Sequence, residues 1–559
     1  MTTSRQPFQS PNTAFSFDET PFSFDESVAR LDDHRDGHLN AYEACCGRQL
    51  RAGRGDVTAL VHESVDGQVS RLSYAELDAQ SARLAGWFQE RGLGVGDRIA
   101  SMLPRTPALL ITVLATWRIG AVYQPLFTAF GPDAVDYRLS RADTQLVITD
   151  HANRAKFDGL SRCPAVMCIE GADAEHPEDL DWQTAIGHEP MTATPPRLSR
   201  DAPFLQMFTS GTVGKPKGVA VPLAALPAFA SYMELAVGLR DDDRFWNMAD
   251  PGWAYGLYYA ITGPLLLGGT THFCEAGFTA EGALAFMQRH GITNFAAAPT
   301  AYRLMKASGL FDDAHRDLSL RAASSAGEPL NTEVVNWVEK ALGCAVMDHY
   351  GQTETGMTCC NHHGLEHPKH VGAMGVPMPG YRLVILDAEN HEQPAGEPGV
   401  LAVDIANSPA HFFAGYTWQE KRPFVDGYYL TGDVVVQAED GTFQFAGRDD
   451  DIITTAGYRV GPTDVENTVM THPAVAESAA VGQPDEIRGE IITSYIVLRE
   501  GFEASEQLAD EIRQRVRERL STHAFPRVIT FIEELPKTPS GKIQRFKLRA
   551  QAADDARAS

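Results

Sequence analysis

The chain has 559 residues, 43% of them hydrophobic, and a formal net charge of −25 from 48 basic and 73 acidic side chains. That length supports more than one buried core, and the negative balance argues against a broad nucleic-acid or anionic-membrane footprint. Eight cysteines fall as two adjacent pairs, Cys45-Cys46 and Cys359-Cys360, and four singles; no paired CxxC metal pattern is present, and they read as reduced thiols of an intracellular chain.

In chain order, residues 1–35 read as an arm. It is polar, lacks a charged start followed by an apolar core, and so carries no secretory signature; the cytoplasm is the expected location. Within it Phe15-Ser-Phe-Asp-Glu19 recurs as Phe22-Ser-Phe-Asp-Glu26. The repeat is too short for a domain; either its phenylalanines pack onto the body or onto a second subunit, or the segment is a loosely ordered tail. From residue 72 to about 445 helical stretches such as 74–91 alternate with short apolar runs at 146–149, 204–208, 294–298, 322–326 and 345–347. Several of these runs end in Gly, Ser, Thr or Pro, where an α/β fold carries its ligand loops. The apolar run 108–117 stops at Arg118 and is too short to span a bilayer, so it predicts a buried helix and no integral membrane segment.

The run 204–208 leads into Thr209-Ser-Gly-Thr-Val-Gly-Lys-Pro-Lys-Gly218. Its glycines permit sharp backbone turns, its hydroxyls and amides can surround phosphate oxygens, and Lys215 and Lys217 add positive charge. The glycine spacing is not that of a Walker A loop, and no Ser or Thr follows the lysine. Further on come Ala249-Asp-Pro-Gly-Trp-Ala-Tyr-Gly256, Ala326-Gly-Glu-Pro329 and Asp348-His-Tyr-Gly-Gln-Thr-Glu-Thr-Gly356. His362, His363 and His367, close to Cys359 and Cys360, fit no familiar zinc spacing and read as a solvated loop. Tyr429-Leu-Thr-Gly-Asp433 ends on a carboxylate able to accept from two hydroxyls. After Gly447 the texture changes. Arg448-Asp449-Asp450-Asp451 opens a smaller unit with a helix at 462–471, apolar runs at 479–481 and 491–497, and a basic helix at 509–520. Near its end lies Pro536-Lys-Thr-Pro-Ser-Gly-Lys-Ile-Gln-Arg545. The division expected is an arm 1–35, a large domain 36–447 and a C-terminal domain 448–559.

Taken in order, these strings resemble the motifs of the adenylate-forming superfamily of acyl-CoA synthetases, peptide-synthetase adenylation domains and luciferases, over roughly residues 72–545. The resemblance implies an α/β fold: a large N-terminal domain of α/β subdomains joined by a hinge to a small mobile α+β C-terminal domain. It implies that Thr209, Ser210, Gly211, Thr212, Gly214, Lys215 and Lys217 hold phosphates, with Val213 departing from the usual Thr or Ser. Gly327, Glu328 and Pro329 would line the adenine pocket by their backbone, with Asp348 and His349 beside them. Tyr350 would stack on adenine, Gln352 would border the nucleotide, Thr353 would meet the α-phosphate, and Glu354 would hold Mg²⁺. Asp433 would bind the ribose and Arg448 the ribose or phosphate. Asp450 would be the hinge. Ala456, Gly457 and Tyr458 would meet the pantetheine of CoA, with Arg459 near the phosphate. Lys542 would reach the α-phosphate and the acid during adenylation.

The activity implied is an ATP-dependent ligation of a carboxylic acid to CoA through an acyl-adenylate, with ATP and CoA as substrates and Mg²⁺ as cofactor. The 249–256 string and Tyr42-Glu-Ala44 place the chain nearest the acetyl- and medium-chain acyl-CoA synthetase branch. There Trp253 would border the acyl pocket. Gly351 stands where acetate-specific relatives carry a pocket-closing tryptophan, which points to short- to medium-chain acids larger than acetate. Among Arg513, Arg515, Arg517 and Arg519, Arg517 is the expected CoA contact. Two other readings stay open: an adenylation enzyme that loads a carrier protein, and a non-catalytic nucleotide-binding relative. The oligomeric state is open too, a homo-oligomer included.

Overall fold

The computed structural model describes residues 15–16, 23–31, 37–209, 216–312, 317–419, 423–449, 451–455, 458–485, 488–520, 524–538 and 542–558. Four sheets of five or more strands carry the fold among these residues. A seven-stranded sheet runs in the order Gly218–Pro222, Pro203–Phe208, Val122–Pro125, Arg98–Met102, Leu146–Thr149, Ala165–Cys168 and Leu180–Asp181. Its strands are parallel except the first, which folds back on Pro203–Phe208 as a hairpin. A nine-stranded sheet has Val346–Gln352, Ala322–Ala326, Asn294–Ala297, Phe245–Asn247, Thr271–Cys274 and Thr58–Glu63 as its parallel centre. Strands buried on both faces become near-continuous apolar runs, and Leu146–Thr149 is buried at all four positions.

Local chemistry explains the helices around these sheets. Tyr74–Glu90 starts at a capping box in which Ser73 and Glu76 each satisfy the other's backbone N–H. Pro107–Arg118 has proline in its first turn, where the missing N–H costs nothing, and its residues 109–117 are all buried. No helix of the described residues is long and apolar enough to cross a membrane.

A five-stranded sheet of Leu383–Leu386, Pro398–Asp404, Phe424–Val425, Tyr428–Gln437 and Phe443–Arg448 follows. The last comprises Ile453–Thr455, Tyr458–Val460, Val475–Asp485, Gly489–Leu498 and Val528–Phe531, covered by the helices Pro462–Met470 and Glu506–Arg519. Ile453, Val465, Val475, Ile492, Ile496, Ile512 and Val516 share one core there, drawn wholly from residues after 452.

Of the readings of the arm, packing on the body holds for the described part: Phe15–Ser16 pairs in parallel with Leu365–Glu366, and helix Phe24–Leu31 buries Val28 and Leu31 while Arg30 pairs with Glu234 at 3.1 Å. One expectation needs correction. The Cys359–His367 region is not a solvated loop. Cys359 and Cys360 lie on the buried strand Gly356–Cys360, His362 is fully buried, and His363 Nε2 lies 2.9 Å from the Ala323 carbonyl oxygen, to which it donates. Each of these groups is desolvated, which pushes the thiols up and the imidazoles down.

Candidate active site

The hairpin Pro203–Phe208/Gly218–Pro222 brings both ends of the glycine-rich loop together. Phe208 faces Gly218 across the ladder, and the Thr209 amide donates to the Lys217 carbonyl at 2.9 Å. Tyr137 donates its hydroxyl to the Pro216 carbonyl at 2.9 Å. Residues 210–215, with Ser210, Gly211, Thr212, Gly214 and Lys215, lie outside the described residues, as do Asp450, Ala456 and Gly457 and the side chains of Tyr458 and Arg459.

Strand Val346–Gln352 carries the second group. Alternation along the strand separates Tyr350 and Gln352 from His349. Tyr350 donates its hydroxyl to Asp433 Oδ2, and Gln352 Nε2 donates to the same oxygen at 2.8 Å. Asp433 lies on Tyr428–Gln437 directly opposite Arg448 of the next strand, and Arg448 Nη1 pairs with Asp433 Oδ1 at 3.1 Å. Cross-strand register thus supplies the ion pair. Tyr429, on the same strand as Asp433, donates to Gln352 Oε1 at 2.8 Å and fixes the amide's orientation. Burial still holds the Asp433 carboxyl above the usual range, with Arg448, Tyr350 and Gln352 pulling it down.

His349 is different. Its Nδ1 is 2.7 Å from the Tyr232 hydroxyl and its Nε2 2.9 Å from the Asn361 carbonyl. Burial first, then His363, brings its pKa down to about 3. Both ring nitrogens are occupied inside the core, so a nucleotide contact at this position falls to the backbone. The Glu328 carboxylate is likewise engaged, by Thr300 at 2.9 Å and Arg303 at 2.5 Å. Burial pushes the Asp348 carboxyl well up.

Glu354 follows the strand end and is 8% exposed. Its Oε1 accepts from the Tyr416 hydroxyl at 2.7 Å, and the Lys217 ammonium sits 4.6 Å from the Tyr416 ring centroid. Burial raises its pKa, the Tyr416 hydrogen bond and Lys217 lower it, and the charge of Asp433 raises it again. Among the described residues this buried carboxylate has one side-chain donor besides its own amide and no close ion pair, and such groups are commonly paired or metal-bound. An oxygen donor of this kind fits a hard cation such as Mg²⁺. The preceding Thr353 carbonyl accepts from Tyr258 at 3.0 Å, and Tyr259 accepts from the Met357 amide at 2.9 Å. Both tyrosines come from the π-helical turn Leu257–Thr262, just after the 249–256 string.

Gly351 sits at a register irregularity between the strands Val346–Gln352 and Gly356–Cys360. A Cβ built there would meet the Gly356 carbonyl oxygen at 2.2 Å and Met357 Cα at 2.7 Å. A side chain here would force the paired strand to shift, so close backbone approach favours glycine in this chain, whatever its effect on a pocket. Trp253 packs with Phe127 and Phe130 at ring separations of 5.5 and 5.4 Å. Arg517 lays its guanidinium over Phe525 at 4.0 Å. Lys542 is exposed; its amide donates to Thr538 Oγ1 at 3.1 Å, and an antiparallel bridge joins Lys537 to Ile543. Three site residues escaped the sequence reading as role-bearing groups: Tyr416, Tyr258 and Tyr259. None belongs to a glycine-rich or charged string, and only their position across the site gives them away.

The arrangement couples a phosphate-type loop, a carboxylate suited to ribose hydroxyls and a carboxylate suited to a cation. Residues 48–416 match the family model described as AMP-binding enzyme, and residues 464–542 match AMP-binding enzyme C-terminal domain. The chain belongs to the AMP-binding enzyme family. It is an acid–thiol ligase of the acyl-CoA synthetase type, forming AMP and pyrophosphate. Among its relatives is an acetyl-coenzyme A synthetase of Bacillus subtilis, 34% identical over 92% of this chain and 91% of that one. A 4-hydroxybutyrate–CoA ligase of Metallosphaera sedula is 35% identical over 89% of this chain and 87% of that one. The crystal structure of an acyl-CoA synthetase from Brucella canis superposes with a TM-score of 0.77 at 46% identity, covering 97% of this chain and all of that one. The large α/β body and small C-terminal unit of this AMP-binding enzyme follow the same plan.

Proposed function

We propose that this ligase activates a short- to medium-chain carboxylic acid larger than acetate and transfers it to CoA. In the first step a carboxylate oxygen attacks the α-phosphorus of ATP and pyrophosphate leaves. In the second the CoA thiol attacks the acyl-adenylate carbonyl and AMP leaves. Both steps need two anionic or polar partners held in line, so positioning and cationic stabilisation are most of what the protein contributes. Asp433, with Arg448 beside it, orients the ribose. Tyr350 offers its ring to adenine. The 209–217 loop and Thr353 hold phosphate oxygens, and Lys542 meets the carboxylate and α-phosphate. Glu354 would hold Mg²⁺, which supplies charge neutralisation on the phosphate oxygens when bound. The C-terminal unit turns about Asp450 between steps, withdrawing Lys542 and bringing the 456–459 segment and Arg517 to CoA.

The observation that carries the choice of acid is Gly351, at the position of the pocket-closing tryptophan of acetate-specific enzymes; each further methylene buried there is worth about 0.8 kcal/mol. The 4-hydroxybutyrate ligase among the relatives agrees with a four-carbon or longer acid. Acetate is the second reading. It is favoured by the Bacillus subtilis relative and by the crowding of the Gly351 Cβ position, which leaves no cavity at that atom itself. The test is mass spectrometry of products from ATP, Mg²⁺, CoA and an acid panel from acetate to decanoate, with benzoate. Butyryl- or longer acyl-CoA as the dominant mass supports the first reading; acetyl-CoA alone overturns it, and acyl-adenylate without thioester overturns CoA as acceptor. Lys542→Ala is expected to abolish the first step while sparing thioester formation from supplied acyl-adenylate. Loss of both steps would remove Lys542 from its adenylation-specific role.

A further inference from the structure

The segment Tyr416-Thr417-Trp418 touches both halves of the phosphate-handling machinery, which come from different sheets. Its Thr417 amide donates to the Gly218 carbonyl at 2.8 Å, forming an isolated antiparallel bridge at the closing end of the 209–218 loop. Trp418 stacks on Phe208, at the opening end, with centroids 6.0 Å apart and planes at 22°. A Cβ on Gly218 would lie 2.5 Å from the Trp418 ring, so the last glycine of the string is explained by this indole. Trp418 has φ +64°, a conformation a bulky residue keeps only when its surroundings over-determine it. Arg141 reinforces it, with its guanidinium 5.6 Å from the ring centroid and Nη2 3.3 Å from the Trp418 carbonyl. Two residues earlier, Tyr416 places its ring beneath the Lys217 ammonium and its hydroxyl on Glu354.

We propose that Tyr416 is the positioning residue for the Glu354 carboxylate, and that the 416–418 strap sets the spacing between that carboxylate and the stem of the phosphate loop. The hydroxyl occupies Oε1 and orients the carboxylate before any ligand arrives. The strap acts as a ruler: a shift of the loop stem at Gly218 moves Tyr416 through the Thr417 bridge. This rests on the reading of Glu354 as the cation-holding carboxylate, and the experiment separates the two. Mn²⁺ binding to the full-length protein with a non-hydrolysable ATP analogue is followed by electron paramagnetic resonance, alongside pyrophosphate–ATP exchange titrated with Mg²⁺. Tyr416→Phe keeps the ring beneath Lys217 and removes the hydroxyl that donates to Glu354 and meets Tyr429; it is expected to weaken Mn²⁺ binding about tenfold, the scale of one hydrogen bond to a charged group, and to raise the Mg²⁺ requirement of exchange with a smaller change in the ATP requirement. Trp418→Leu is expected to speed tryptic cleavage at Lys217-Gly218 about threefold or more, the sign of a loosened local segment; Lys215 is followed by proline and resists the protease. Unchanged Mn²⁺ binding in Tyr416→Phe, with binding lost in Glu354→Gln, overturns the role of Tyr416 alone. Unchanged binding in Glu354→Gln overturns the reading of Glu354 beneath it. Unchanged cleavage in Trp418→Leu overturns the strap.

Discussion

Asp433 receives side-chain hydrogen bonds from Tyr350 and Gln352 and an ion pair from Arg448, whereas Glu354, similarly buried, receives among the described residues one side-chain hydrogen bond, from Tyr416, besides that of its own amide and the more distant charge of Lys217. The two are linked through Gln352, Tyr429 and Tyr416, and the charge of Asp433 is felt at Glu354. The difference teaches how one polar site is divided. On the proposed roles, the carboxylate that would meet neutral ribose hydroxyls is compensated by the protein itself, and the one that would meet a cation is left largely to that cation.

Substitution should push the two carboxylates in opposite directions. Glu354→Gln is expected to lower pyrophosphate exchange by roughly 10²-fold or more, in the range of removing one electrostatic stabiliser, while leaving the melting temperature equal or higher, because a poorly compensated buried charge is gone. Asp433→Ala should instead cost about 3 kcal/mol of stability by leaving the buried Tyr350 and Gln352 donors without their shared acceptor. Denaturant unfolding of both variants measures this contrast; equal stability losses would erase it. Gly351→Ala probes the neighbouring strand pair. It should destabilise by about 2 kcal/mol through overpacking against the Gly356 carbonyl, read by the same unfolding curves, and a variant as stable as the parent with only a shortened acid preference would restore the glycine to a purely pocket-shaping role.

The pH dependence sharpens the comparison further. Burial raises the folded-state pKa of Asp433. A carboxyl raised in this way binds more protons folded than unfolded in the window above its ordinary value. Its stabilising share is therefore full at acid pH and is lost as pH rises through the folded value. The advantage of the parent over Asp433→Asn should be greatest at acid pH and shrink toward neutrality, by at most about 1.4 kcal/mol per pH unit between the unfolded and folded values. Thermal melts across that range test the sign. Smallest of all, Tyr350→Phe removes one donor of three and should cost about 1 kcal/mol, seen as a few-fold rise in the ATP concentration needed for half-maximal exchange.

Sequence alone determined the family and much of the strand layout. The runs 146–149 and 322–326 are strands with those bounds, and the glycine-rich string does follow a strand. These features are local: apolar run length, capping and turn chemistry act within a few residues. The tertiary structure decided what depends on distant packing. In the second Phe-Ser-Phe-Asp-Glu copy Ser23 caps a helix that starts at Phe24, while in the first Phe15 and Ser16 pair as a strand, so the equivalent serines Ser16 and Ser23 take the form their neighbours on the body allow. His349 turns into the core toward Tyr232, and Gly351 answers to a carbonyl five residues on. Tyr416 stands 62 residues from Glu354 in sequence; only the packing of separate sheets brings its hydroxyl to that carboxylate, because hydrogen-bond geometry is set by side chains that meet in space and not by their order along the chain.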